Sequence, residues 1–117
     1  MYKVIIMKLN RIITSIDYTL ISGSTDISIS DIIYDSRKVI PGSLFVCLEG
    51  SSFDGHIYAQ DAVNQGAVAL LVSKDISVDN EDITIIKVKD TRESLAYISK
   101  NFFSNLQFSG SLSLYCS

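Results

Sequence analysis

The densest cluster of side chains capable of chemistry is Tyr34-Asp35-Ser36-Arg37-Lys38, which follows an apolar run typical of a buried strand. Ligand sites in α/β proteins favour strand ends, where side chains and free backbone groups meet solvent. Ser36 offers a donor and an acceptor, and the Arg37 guanidinium can form two parallel hydrogen bonds to a phosphate or carboxylate. The alternative is structural: Asp35 and Ser36 would cap a turn, and Arg37 would be a solvated surface charge. Both interpretations stay open from the spacing alone.

The second candidate is the segment from Gly50 to His56, which reads Gly-Ser-Ser-Phe-Asp-Gly-His. Gly50 and Gly55 have the spacing of a phosphate-binding P-loop, but His56 replaces the required lysine, so the motif is a weak signal for phosphate. Asp54 could orient His56, the only histidine, as a base. Alternatively, the two residues form hydrogen bonds at the start of the following helix. No Gly-x-Ser-x-Gly nucleophile elbow occurs, which argues against a hydrolase.

Composition restricts the class of protein further. The 117 residues are 47% hydrophobic and 20% charged with a net charge of −3, which excludes a disordered tail and disfavours coating of nucleic acid. The longest apolar run, Ala67 to Val72, is far shorter than the roughly 20 residues of a membrane span. Cys47 and Cys116 form neither a metal-ligand spacing nor a disulfide framework. We therefore expect a cytoplasmic, metal-free protein.

The elements that must position these residues alternate between strand and helix patterns. Seventeen isoleucines favour a substantial buried sheet. The predicted elements are a helix over 7–16, strands over 18–21, 27–34, 44–48, 68–72 and 83–88, a turn at 41–42, a helix over 57–65 ended by Gly66, and a helix capped by Asp90 and Glu93. Continuous apolar strands separated by helices predict a three-layer α/β/α domain with a mixed, mostly buried sheet.

The last thirteen residues, 105–117, carry no charge and match neither a strand nor a helix pattern. We therefore expect one domain over residues 1–104, followed by an aberrant or truncated tail. Met7 could equally be the natural start of the chain.

Three longer stretches carry a family resemblance: Tyr34 to Gly50, Asp54-Gly-His with Ala62, and Gly66 to Val72. Together with Asp90-Thr-Arg-Glu and Asn101-Phe-Phe, they resemble the N-terminal domain of the Mur ligases. The pattern is most similar to UDP-N-acetylmuramoyl-dipeptide synthetases, which add the third residue of the peptidoglycan stem peptide. The resemblance covers about Met7 to Ser104.

The resemblance implies a three-domain ATP-dependent ligase whose first domain holds the UDP-N-acetylmuramoyl-peptide. Ser36 matches the serine that contacts this substrate, Tyr34 matches a backbone contact, and Arg37 accompanies the serine in either a ligand-binding or a turn-stabilising role. The loop that lines the same site corresponds to Ser51, Ser52 and Phe53. We expect a monomer with no nucleic-acid or membrane partner.

The resemblance stops before the catalytic machinery of the family. A Gly-Thr-x-Gly-Lys-Thr loop would follow Asn101-Phe-Phe-Ser in a relative, but the sequence here continues differently after Asn105. No catalytic residue is therefore predicted, and ATP and Mg²⁺ are expected only for a full-length ligase. We expect an isolated substrate-binding domain that is inactive alone. The alternatives are the first domain of a ligase that adds D-Ala-D-Ala, and a non-functional truncated gene product.

Overall fold

A computed structural model describes residues 7–50, 52, 54–80 and 82–104. The strands are β1 (Met7–Lys8), β2 (Thr19–Ser22), β3 (Ser28–Ile29), β4 (Ile32–Ile33), β5 (Leu44–Val46), β6 (Ala69–Val72) and β7 (Thr84–Lys87). The α-helices are α1 (Leu9–Ile12), α2 (Ala59–Asn64) and α3 (Thr91–Ser104), and 3-10 turns occupy Ile13–Ser15, Ser36–Lys38 and Gly55–Tyr58. The predicted tail, residues 105–117, lies outside the described residues.

Five of the strands form one mixed sheet in the order β2-β7-β6-β5-β4. The four strands from β4 to β7 are parallel, and β2 pairs antiparallel with β7 at one edge. The strands β1 and β3 form a separate antiparallel pair. The carboxyl ends of the four parallel strands consequently share one edge of the sheet, which is where a ligand site is expected in an α/β protein.

Two hydrophobic cores lie on the opposite faces of this sheet. Leu44 and Val46 of β5 belong to the core that includes α1 and α3, whereas Phe45 between them belongs to the core that includes α2. Successive side chains of a strand point to opposite faces, so each continuous apolar run supplies both cores. The predicted three-layer architecture with a mixed, buried sheet is confirmed.

The predicted helix over residues 7–16 is wrong at both ends. Met7 and Lys8 instead pair with Ile29 and Ser28, and a 3-10 turn replaces the last part of the helix. The backbone N–H of Leu9 donates to the carbonyl oxygen of Ile27 at 2.8 Å. Ile27 of the same chain thereby supplies an acceptor for one of the N–H groups that the start of a helix leaves unpaired.

The predicted strand over residues 27–34 is divided into β3 and β4, which belong to different sheets. The Pro41-Gly42 turn lies against the break: the Ser30 backbone N–H donates to Gly42 O at 2.9 Å, and its hydroxyl donates to Pro41 O at 2.9 Å. Gly42 has a φ of 85°, as the predicted turn requires. The apolar residues on either side of Ser30 therefore belong to two strands, and the predicted single strand is wrong.

The end of α2 and the start of α3 agree with the sequence prediction, whereas the first two residues of the predicted 57–65 helix lie in a 3-10 turn. Gly66, with a φ of 115°, follows α2, and the carboxylate of Asp90 accepts hydrogen bonds from the backbone N–H groups of Arg92 and Glu93 at the start of α3. No helix among the described residues has the length and apolar character needed to cross a membrane.

Candidate functional site

A cleft of about 490 Å³ opens where β4 and β5 end. Its lining comes from the segments after these strands, from the 3-10 turn before α2 and from the start of α3. The lining residues are Tyr34, Asp35, Ser36, Arg37, Phe45, Leu48, Gly50, Gly55, Tyr58 and Arg92. The three predicted site residues that follow β4 therefore lie in one cavity.

Asp35 and Arg37 form a closed local pair on one side of the cleft. The Asp35 carboxylate accepts from the backbone N–H of Arg37 at 3.0 Å, and also from its Nε and one terminal nitrogen, each at 3.0 Å. These hydrogen bonds lower the pKa of Asp35 to about 2 and raise the pKa of Arg37. The turn-capping role that the sequence left open is confirmed for Asp35, and the Arg37 guanidinium is paired while 86% of its side chain remains exposed.

The Ser36 hydroxyl has no hydrogen-bond partner among the described residues, although its residue lines the cleft. The Ser36 carbonyl is held by Gln65, whose side-chain nitrogen donates to it at 2.8 Å. Tyr34, 62% exposed, stands at the same strand end. The backbone here is thus anchored from α2, while a hydroxyl and an aromatic ring remain free to contact a ligand.

Close backbone packing forms another part of the cleft lining, at Leu48 and Gly55. The Gly55 N–H donates to the carbonyl oxygen of Leu48 at 2.7 Å. A Cβ atom on Gly55 would lie 2.7 Å from that oxygen, so a side chain does not fit there. The N–H groups of Gly55 and His56 are both bonded within the protein, so neither of these two amides is free to bind phosphate as P-loop amides do.

His56 is a structural residue of the segment that follows the cleft. Its Nδ1 atom lies 2.6 Å from Asp54 Oδ1, and its Nε2 atom accepts from the backbone N–H of Ser73 at 3.0 Å. This pair of contacts assigns a neutral ring with the proton on Nδ1, with both nitrogens engaged. The hydrogen-bonding alternative for Asp54 and His56 is therefore confirmed, and the bonded Nε2 atom argues against the catalytic-base alternative.

Lys74 completes this network around Asp54. Its ammonium group pairs with the carboxylates of Asp54 and Glu49. Hydrogen bonds from Lys74 and then from His56 hold the pKa of Asp54 well below its usual range. Glu49 and Asp54 also form an isolated β-bridge, so the network holds together the two residues that flank residues 50–53.

The predicted loop residues are only partly placed. Ser52 is exposed and does not line the cleft, whereas Ser51 and Phe53 lie outside the described residues. The sequence reasoning missed Tyr58 and Arg92 as lining residues. Arg92 belongs to the Asp90-Thr-Arg-Glu motif that carried part of the resemblance, but a position on a helix gave no signal that its side chain lines a cleft after β5.

Cys47 is fully buried, and burial raises the pKa of its thiol to about 12. Within the described part of the chain, no group of three or more metal-ligating side chains converges. Cys116 lies outside that part.

Comparison with known proteins decides the family. The family model described as "Mur ligase family, catalytic domain" matches residues 28–103. The chain belongs to the Mur ligase family. The predicted resemblance to the N-terminal domain of Mur ligases is confirmed.

Curated Mur ligases are similar to this chain in sequence. Over 99 residues, this Mur ligase chain is 46% identical to a UDP-N-acetylmuramoyl-L-alanyl-D-glutamate–2,6-diaminopimelate ligase from Clostridium perfringens. It is 43% identical to the ligase of the same name from Clostridioides difficile. Each alignment covers 85% of this chain but 20% of the relative. The chain thus spans about a fifth of the length of the curated relatives it matches.

Solved structures of Mur ligases share the fold. A MurF crystal structure from Acinetobacter baumannii matches with a TM-score of 0.56 and 32% identity, over 63% of this chain and 16% of that one. MurF ligase from Thermotoga maritima, solved with ADP, matches with a TM-score of 0.54 and 25% identity, over 64% of this chain and 17% of that one.

Proposed function

We propose that this Mur ligase chain is the substrate-binding domain of a UDP-N-acetylmuramoyl-tripeptide synthetase, and that its cleft holds the UDP-N-acetylmuramoyl-dipeptide. The observation that carries the proposal is the convergence of Tyr34, Ser36 and Arg37 on one cavity at the carboxyl ends of β4 and β5. The family resemblance assigns Tyr34 and Ser36 to the substrate, with Arg37 beside them.

The chemistry of the cleft suits a nucleotide-linked sugar. Tyr34 and Tyr58 offer aromatic surface, Ser36 offers a free hydroxyl, and Arg92 brings positive charge. Such a ligand combines a flat base, hydroxyl groups and a charged diphosphate. Ser51, Ser52 and Phe53 remain proposed contacts from the adjoining loop.

The similarity to diaminopimelate ligases supports the tripeptide-forming class and supports diaminopimelate as the amino acid that a full-length protein would add. A D-Ala-D-Ala-adding ligase is the second candidate, since MurF structures share the fold at 32% identity. The higher identity of the diaminopimelate ligases, 46%, favours the first.

ATP and Mg²⁺ would belong to the rest of a full-length ligase. The Gly-x4-Gly spacing from Gly50 to Gly55 does not fit a nucleoside triphosphate, because His56 replaces the lysine and the amides of Gly55 and His56 are already bonded. We therefore propose binding without turnover. We also propose that the protein is monomeric and cytoplasmic.

Isothermal titration calorimetry with UDP-N-acetylmuramoyl-dipeptide tests this proposal. We expect weak, saturable binding, a loss of affinity of about tenfold in Ser36→Ala from one hydrogen bond to a charged ligand, and no ATP hydrolysis. The control is Ser99→Ala, a serine of α3 that does not line the cleft. Absence of heat from folded protein at millimolar ligand would contradict the proposal, and tighter binding of the tripeptide substrate would favour the second candidate.

A further inference from the structure

Two guanidinium groups line the cleft, and they differ in how their charge is compensated. Arg37 is held by the Asp35 carboxylate through two side-chain hydrogen bonds. Since Asp35 is ionised at neutral pH, this pair is close to electrically neutral. A guanidinium whose charge is offset by a carboxylate in this way attracts an anionic ligand only weakly.

Arg92 keeps its charge. One terminal nitrogen donates to the backbone carbonyl oxygen of Glu49 at 3.3 Å, and no carboxylate lies within ion-pair distance among the residues that the structure describes. The Glu49 carboxylate itself is occupied by Lys74 and Ser73. A carbonyl contact orients a guanidinium without neutralising it, and it leaves most of the five N–H donors available.

The backbone around Arg92 fixes where this charge stands. The Asp90 carboxylate accepts from the Arg92 backbone N–H at 3.0 Å, which anchors the first turn of α3. The contact with Glu49 then ties the side chain to the segment after β5. Arg92 is thus anchored at its backbone and at its guanidinium group, and it lines the cleft.

We infer that Arg92 is the residue of this cleft that binds the diphosphate of the nucleotide-linked sugar. The inference rests on the proposed function, because that function supplies the diphosphate. Arg37 then has a turn-stabilising role beside Ser36, which resolves the alternative left open by the family motif. Arg92 was not among the residues that the resemblance assigned to the substrate.

Calorimetric titrations of the 117-residue protein with uridine and with UDP test the inference. Arg92→Gln is expected to leave uridine binding unchanged and to weaken UDP binding by roughly tenfold, because only UDP presents the diphosphate. Arg92→Lys is expected to fall between wild type and Arg92→Gln, since it keeps the charge but loses the forked geometry. The loss in Arg92→Gln should shrink at high salt, because the ions screen an exposed charge.

Arg11→Gln is the matched control, because it removes the same charge from α1 and does not line the cleft. Thermal unfolding of each variant verifies that it is folded. Equal UDP affinity in wild type and Arg92→Gln would overturn the inference while leaving the proposed function intact. A loss that occurs only with the complete muramoyl-dipeptide would also overturn it, because a peptide carboxylate would then be the anion bound. If neither UDP nor the complete substrate binds wild type, the proposed function fails and this inference fails with it.

Discussion

The Nε2 atom of His56 accepts a hydrogen bond from the backbone N–H of Ser73 at 3.0 Å, which ties the 3-10 turn before α2 to the carboxyl end of β6. Ser73 immediately follows β6, and Gly55, which precedes His56, lines the cleft. A buried side chain outside the cleft therefore holds part of its wall. His56 is a positioning residue, and its effect on a ligand is indirect.

Replacing His56 by Phe should lower the free energy of unfolding by about 1–3 kcal/mol, because the N–H of Ser73 loses the acceptor that the buried His56 ring supplies. Phe retains an aromatic ring, so loss of packing is limited. Urea unfolding followed by circular dichroism measures the change. Tyr97→Phe, at an exposed position on α3, serves as the control. A His56→Phe variant as stable as wild type would show that the hydrogen bonds of the ring are dispensable.

Asp54 should make stability depend on acidic pH. Lys74 and His56 lower the pKa of this carboxyl below its unfolded value of about 3.9, so the folded state binds fewer protons. Its stabilising contribution is therefore fully present above about pH 5 and is lost progressively as the pH falls through the unfolded and then the folded pKa. The difference in unfolding free energy between wild type and Asp54→Asn should shrink from about pH 5 downward.

The matched control for this pH effect is Asp17→Asn, because the Asp17 carboxylate makes no hydrogen bond or ion pair within the described residues. Its difference from wild type should stay nearly constant with pH. A constant difference for Asp54→Asn as well would contradict the assigned ion-pair network.

Ser43 carries a buried hydroxyl with no hydrogen-bond partner among the described residues. Ser43→Ala removes a polar group that costs free energy when buried, so we expect unchanged stability or a gain of up to about 1 kcal/mol. Ser22→Ala provides the contrast, because the Ser22 hydroxyl donates to Ile83 O at 3.0 Å and its removal should be destabilising. Thermal unfolding ranks the two variants. A clear loss of stability in Ser43→Ala would reveal a partner for its hydroxyl.

Cys47 should be inert in the folded protein. Its thiol is fully buried and its pKa is raised to about 12, so the reactive thiolate is scarce at neutral pH. In a Cys116→Ser background, a disulfide reagent should modify Cys47 only after denaturant is added. Rapid modification under native conditions would mean that the sheet around β5 opens readily.

Local patterns predicted the parts of the fold that depend on neighbouring residues. The sequence identified features whose effect depends on residues close by in the chain. These are the apolar runs of β5 and β6, the glycine that follows α2 and the aspartate that caps α3. The N-terminal helix and the strand around Ser30 were wrong in extent, because contacts with residues 25–29 and with the Pro41-Gly42 turn decide them. Such partners are distant in sequence and leave no periodic signal.

The candidate site divides in the same way. Tyr34, Ser36 and Arg37 follow one strand, so they were expected to stand together, whereas Tyr58 and Arg92 reach the cleft from other elements. The pairing of Arg37 with Asp35 follows from a two-residue separation, but the contact between Arg92 and Glu49 spans 43 residues. Only the tertiary structure distinguishes the neutralised arginine from the one that keeps its charge.

The most direct test of the central claim is a titration of ¹⁵N-labelled protein with UDP-N-acetylmuramoyl-dipeptide, followed by amide chemical shifts. Binding in the cleft predicts that the largest changes occur at Ser36, Leu48, Gly55 and Arg92, with small changes at Thr19, Lys89 and Tyr97, which line a second hollow between β2 and α3. Changes concentrated in that second hollow, or no changes at saturating ligand, would contradict the claim.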